Sequence, residues 1–128
     1  MSKANAKYSF VDLFAGIGGF HAALAATGGV CEYAVEIDRE AAAVYERNWN
    51  QPALGDITDD ANEAGVTLRG YDGPIDVLTG GFPCQPFSKS CAQHGMAETR
   101  GTLFWNIARI IEEREPTVLI LENVRNLV

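Results

Sequence analysis

Short apolar runs alternate along this chain with stretches whose apolar positions recur every three or four residues, the pattern of strands separated by helices. Tyr8 to Phe14 reads as a first strand and Phe20 to Ala26 as an Ala-rich helix, stopped by the Gly28-Gly29 pair. Cys31 to Ile37 reads as a second strand. Asp38 to Trp49 follows as a helix, with Ala41, Val44, Tyr45 and Trp49 at near-helical spacing and Asp38 suited to its N-cap. A short third strand is expected over Ala53 to Ile57, then a short helix and loop over Thr58 to Gly73. Ile75 to Thr79 makes a fourth strand, which Gly80 and Gly81 allow the backbone to leave sharply. Pro83 to Arg100 has neither period and reads as a long functional loop. Leu103, Phe104, Ile107, Ala108, Ile110 and Ile111 then line one face of a helix, with Arg109, Glu112 and Glu113 opposite and Pro116 as its stop. Val118 to Leu121 is the fifth strand.

Strands alternating with helices predict an α/β fold: a Rossmann-like parallel sheet, here a five-strand portion in the order 3-2-1-4-5. The fifth strand carries four consecutive apolar residues, as a strand paired on both sides would, yet nothing that follows it here can pair with it. It is expected to be a bare edge without protecting charges or prolines, so residues 1–128 read as part of a larger domain.

Composition narrows the choice of partners. The 128 residues suffice for one hydrophobic core, and no apolar run approaches the roughly 20 residues of a membrane span. The N-terminus begins no signal peptide. Cys31, Cys84 and Cys91 form no even disulfide framework, and neither histidine joins a metal-ligand cluster, so no metal is expected. A formal net charge of −7 argues against a grip on nucleic acid by this chain alone, because phosphate contacts need clustered Lys and Arg.

Chemistry gathers at the strand ends. Gly80 to Ser88 (GGFPCQPFS) puts Cys84, directly after Pro83, just beyond the fourth strand, where open α/β sheets bind ligands. A thiolate there is a nucleophile; the alternative is a buried, inert cysteine. Asp12 to Gly19 (DLFAGIGG) turns the first strand into a helix, and its glycines either admit a nucleotide-like cofactor or simply make a tight turn. Glu36 closes the second strand at the distance suited to ribose hydroxyls, unless it is only a solvent-facing acid, and Asp56 stands at the corresponding end of the third. Glu122 closes the fifth strand on the same rim as Cys84. A carboxyl beside a thiolate suits general acid catalysis or substrate activation; a surface acid or helix cap is the alternative.

These blocks resemble the N-terminal part of a cytosine-C5 DNA methyltransferase. Phe14 to Gly19 (FAGIGG) is similar to that family's S-adenosylmethionine motif, and Gly81-Phe82-Pro83-Cys84-Gln85 to its Pro-Cys nucleophile motif. Arg100 to Phe104 (RGTLF) and Glu122-Asn123-Val124 match two further blocks in order and approximate spacing.

The resemblance implies that Cys84 attacks C6 of a cytosine flipped out of the DNA, that Pro83 fixes the direction of Cys84, and that Glu122 contacts N3 and the exocyclic amine. It implies S-adenosylmethionine as cofactor, with Phe14 and Ile37 flanking the adenine and Glu36 on the ribose. Asp56 and Ile57 would meet the adenine edge, and Asp12, Gly16, Gly18 and Leu103 the methionine side. Residues 1–128 would then be a partial catalytic domain. Ile37 departs from the family pattern, where many members have an aromatic residue. The blocks expected after Glu-Asn-Val, including the target recognition domain, are absent. Three functions remain open: a methyltransferase completed by a second polypeptide, or self-associating through the fifth strand; a non-catalytic, truncated cofactor-binding remnant or scaffold; and an RNA (tRNA) cytosine methyltransferase. The expected location is the bacterial cytoplasm, near the nucleoid, or otherwise the nucleus.

Overall fold

The computed structural model describes residues 5–81 and 103–122. In chain order they form β1 (Tyr8–Leu13), α1 (Gly19–Ala26), β2 (Gly29–Val35) and α2 (Arg39–Trp49). A 3-10 turn (Ile57–Asp59), β3 (Ala61–Asn62), β4 (Gly65–Val66), β5 (Val77–Gly81), α3 (Leu103–Arg114) and β6 (Val118–Glu122) follow. Four of the strands make a parallel sheet ordered β2-β1-β5-β6, with β1 at its centre and β3 and β4 in a separate two-stranded hairpin.

Both faces of the sheet are covered over β1 and β2, and β1 serves both because its side chains alternate. Val11 and Leu13 join Tyr33, Val35 and Leu78 beneath Ile107 and Ile110 of α3. Phe10 joins Cys31 and Ala34 on the opposite face, beneath Tyr45 of α2, with Leu24 and Trp49 packed around them. The β1–β2 register slips between Phe10 and Val11, whose partners are Cys31 and Tyr33. The residue passed over, Glu32, puts Cys31 and Ala34 in the same layer despite their odd spacing.

The expected sheet order is observed, with four corrections of extent. The third strand shrinks to one parallel bridge, Val35 to Leu54. Leu54 N–H donates to Ala34 O and Leu54 O accepts from Glu36 N–H. The chain then turns away, because the Asp56 carboxylate accepts from Thr58 N–H and caps the 3-10 turn. Thr58 to Gly73 holds that turn and the β3–β4 hairpin in place of a short helix. Asp60 anchors the segment, accepting from the Tyr33 hydroxyl at 2.6 Å and the Arg69 guanidinium at 2.7 Å. Gly80 and Gly81 do not leave the fourth strand but end it in register, opposite Leu121 and Glu122. The first two strands end at Leu13 and Val35, before Phe14 and before Glu36-Ile37.

The sheet is finished unequally at its edges. β6 pairs only with β5 among the described residues, and Val118, Leu119, Ile120 and Leu121 are 37% to 46% exposed. This is the bare edge that the run of apolar residues predicted. No helix among the described residues is long and apolar enough to cross a membrane.

Candidate active site and cofactor pocket

β1 ends because Phe14 adopts φ 55°, a left-handed conformation costing an L-residue about 1–2 kcal/mol. Bonds on both sides of the turn hold it there. Ala15 N–H donates to Val35 O at 2.9 Å, and Gly16 N–H donates to Glu36 Oε1 at 2.8 Å. Glu36 Oε2 accepts from Asp38 N–H at 2.9 Å, so a single carboxylate ties the glycine turn to the start of α2. Strain fixed in this way at a strand end is a mark of functional sites. Gly16 lies at φ +59° with open space where a Cβ would stand, leaving its backbone approachable.

Beside the turn lies a small apolar pocket open to solvent, lined by Phe14, Val35, Glu36, Ile37, Gly55, Asp56, Ile57 and Leu103. The sequence reading named six of these eight. Val35 and Gly55 were missed, although each immediately precedes a named acid. The walls are apolar apart from Glu36 and Asp56. Ile57 is buried at the floor and Ile37 is 65% exposed at the rim. Each carboxylate oxygen can accept more than one hydrogen bond, so Glu36 keeps capacity toward a hydroxyl-bearing ligand after holding the turn. An apolar slot with acceptors at its mouth fits a flat heterocycle joined to a sugar. The residues present therefore suit a nucleoside-bearing cofactor.

Asp12 and Gly18 do not line this cavity. Asp12 is fully buried, and its Oδ1 accepts from the Thr79 hydroxyl at 3.0 Å. Its Oδ2 has no hydrogen-bond partner among the described residues. Burial, reinforced by the nearby Glu36 and opposed by the Thr79 bond, pushes its pKa up to about 7. Gly18 faces α2, where a Cβ would come within 1.9 Å of Trp49 Nε1.

At the other side of the sheet, Glu122 pairs in register with Gly81, and its Oε2 lies 3.1 Å from where a Gly81 Cβ would stand. The carboxylate thus sits over the last residue of β5, three positions before Cys84. Pro83, Cys84 and the expected loop lie outside the described residues.

Sequence reasoning missed a polar cluster behind the glycine turn. His21 stacks on Trp49 with ring centroids 4.2 Å apart, and its Nδ1 is 2.6 Å from the Tyr45 hydroxyl. Cys31 Sγ is 3.5 Å from the same hydroxyl. Burial lowers the His21 pKa to about 4 and raises that of Cys31 to about 11, so both are neutral near pH 7. The near-helical spacing of Tyr45 and Trp49 marked an inward face but not its polar contacts.

Sheet order, strained glycine turn and strand-end pocket together define a Rossmann-like α/β fold of the class I methyltransferase type. A family model for C-5 cytosine-specific DNA methylases matches residues 8–128, and the chain belongs to that family. It is 97% identical over its whole length to the type II methyltransferase M.AluI of Cellulosimicrobium cellulans, covering 25% of that protein. It is 47% identical to M.HhaI of Haemophilus parahaemolyticus over 91% of this chain and 34% of that one. The chain therefore spans between a quarter and about a third of these relatives. Among solved structures, the S. pombe Dnmt2 methyltransferase matches with a TM-score of 0.64 at 21% identity, covering 92% of this chain and 34% of that one, a likeness of fold.

Proposed function

We propose that this chain carries the cofactor-binding and nucleophilic part of a methyltransferase acting on C5 of cytosine in DNA. The convergence of Phe14, Glu36, Ile37, Asp56, Ile57 and Leu103 on one strand-end cavity carries the reading. S-adenosylmethionine, when bound there, supplies the methyl group. Phe14 and Ile37 would flank its adenine, Glu36 would accept from the ribose hydroxyls, Asp56 and Ile57 would meet the adenine edge, and Gly16, Leu103 and the backbone at Gly18 would serve the methionine side, with the buried Asp12 behind them.

On the DNA side, the Cys84 thiolate adds to C6 of a cytosine extruded from the duplex, with Pro83 fixing its direction. Addition makes the otherwise unreactive C5 nucleophilic, while Glu122 holds N3 and the exocyclic amine. After methylation, loss of the C5 proton expels the thiolate and restores the aromatic ring. The type II names of M.AluI and M.HhaI favour DNA over tRNA and suit a restriction–modification role in a bacterial cytoplasm.

Target recognition falls to sequence beyond these residues, in the same polypeptide or a complementary one. The net charge of −7 and the exposed apolar β6 support that dependence. Calorimetric titration of S-adenosylmethionine into the chain, beside Glu36→Ala, tests the cofactor half. Saturable binding that the substitution weakens supports it, and a folded chain with no binding overturns it. Mixing with a chain bearing the remaining motifs tests the catalytic half. Methyl transfer that Cys84→Ser abolishes is expected, and no transfer with any such partner would leave a non-catalytic remnant.

A further inference from the structure

The Ile17–Gly18 peptide is held at both ends. Gly18 N–H donates to Ala15 O at 3.0 Å. The Ile17 carbonyl accepts twice from the last turn of α2, from Trp49 Nε1–H and from Asn48 Nδ2–H, each at 3.2 Å. Trp49 is itself braced by its stacking on His21, whose ring also meets Phe10 and Tyr45 edge-on. The turn rests directly on the indole, since a Cβ at Gly18 would collide with Trp49 Nε1. From Gly18, at φ +101°, the chain enters α1, which has no side-chain cap at its N-terminus. Two residues earlier, Gly16 N–H is held by Glu36 on the pocket side. Two neighbouring points of the turn are thus fixed from opposite sides.

We propose that Trp49, assisted by Asn48, is a positioning residue for the cofactor turn: its indole N–H fixes the Ile17–Gly18 peptide and so sets how the turn and the uncapped first amides of α1 meet the cofactor. The inference rests on the cofactor reading above. Both bonds to the Ile17 carbonyl are exposed, but the indole is the more firmly held donor because its ring is stacked on His21. Nothing bonded to Ile17 O belongs to the pocket wall, so the effect is on positioning and not on contact.

Trp49→Phe keeps an aromatic ring to stack on His21 and removes the donor together with the five-membered ring on which Gly18 rests. S-adenosylmethionine binding should weaken about three- to tenfold, the net worth of one hydrogen bond, and further when Asn48→Ala is added. Amide exchange at Gly18 in the ligand-free variant should quicken while exchange in β1 and β5 stays unchanged. In the unsubstituted chain, the Trp49 indole proton resonance should shift on cofactor addition more than that of Trp105. Unchanged affinity in Trp49→Phe overturns the proposal, whatever the exchange rates do. Uniformly faster exchange across β1 and β5 also overturns it, by assigning Trp49 a general structural role. If the unsubstituted chain takes up no cofactor, the cofactor reading falls by itself. Exchange at Gly18 then decides alone, and an unchanged rate refutes the clamp.

Discussion

On the β2 side of the central strand, side chains from β2, the 3-10 turn, α3 and the glycine turn close around one pocket, and Asp12, His21, Tyr45 and Trp49 pack behind it. On the β5–β6 side, the strand ends stand in register and bring Glu122 over Gly81, while the outermost strand leaves four apolar residues 37% to 46% exposed. Both sides use the same parallel ladder, so backbone pairing does not distinguish them. They differ in what lies beyond the ladder. Among the described residues, several elements line the pocket side, whereas the other side presents an exposed sheet edge. On the proposed function, holding a cofactor and performing the chemistry are separable demands, and substitutions should separate them.

The largest effect should come from the rim carboxylate. With the remaining motifs supplied by a second chain, Glu122→Gln should lower the methyl-transfer rate by about 10²- to 10⁴-fold, the usual range for a positioned acid. Affinity for S-adenosylmethionine should not change. A parallel loss of affinity, measured by titration, would mean that the two sides do not act separately.

The comparison is sharpened by truncating one apolar residue on each side. Ile107 is fully buried against β1, so Ile107→Ala should cost about 2–5 kcal/mol in urea unfolding. Leu119 is 43% exposed, and Leu119→Thr should change stability by no more than about 0.5 kcal/mol while reducing self-association seen in sedimentation. A cost for Leu119→Thr approaching that of Ile107→Ala would show that β6 is already covered in solution, for instance by a second copy.

Much of the pocket side was legible because its chemistry sits where strands end. Phe14, Glu36 and Asp56 each follow an apolar run and precede a helix or turn signal, and a parallel sheet must bring such ends to one rim. The third strand was not legible. Leu54 pairs once, and Asp56 then caps its own 3-10 turn, a local bond that wins over further pairing. Gly80 and Gly81 were read by their freedom to turn, yet the register opposite Leu121 and Glu122 holds them extended. The Trp49 clamp joins groups 32 residues apart through a side-chain donor and a backbone carbonyl, which no hydrophobic period encodes. On the β5–β6 side, Glu122 was legible as a strand-end acid, while Pro83 and Cys84 lie outside the described residues.

The smallest effect in the unsubstituted chain concerns two buried titratable groups on the pocket side, whose influences on stability oppose each other. The folded pKa of Asp12, about 7, lies above its ordinary 3.8, so the stability it contributes is full below about pH 4 and is lost as pH rises toward 7. The folded pKa of His21, about 4, lies below its ordinary 6.5. Its contribution is full above pH 6.5 and is lost as pH falls toward 4. Between about pH 4 and 6.5 the two slopes have opposite sign, each at most about 1.4 kcal/mol per pH unit, and nearly cancel. Asp12→Asn retains an acceptor for the Thr79 hydroxyl and removes one slope. Its unfolding free energy should then rise with pH across that window, where the unsubstituted chain is nearly flat. Urea titrations at pH 4.5, 5.5 and 6.5 would decide it. A flat profile for Asp12→Asn would mean that His21 gains its proton without cost, and that the cluster behind the glycine turn is open to water.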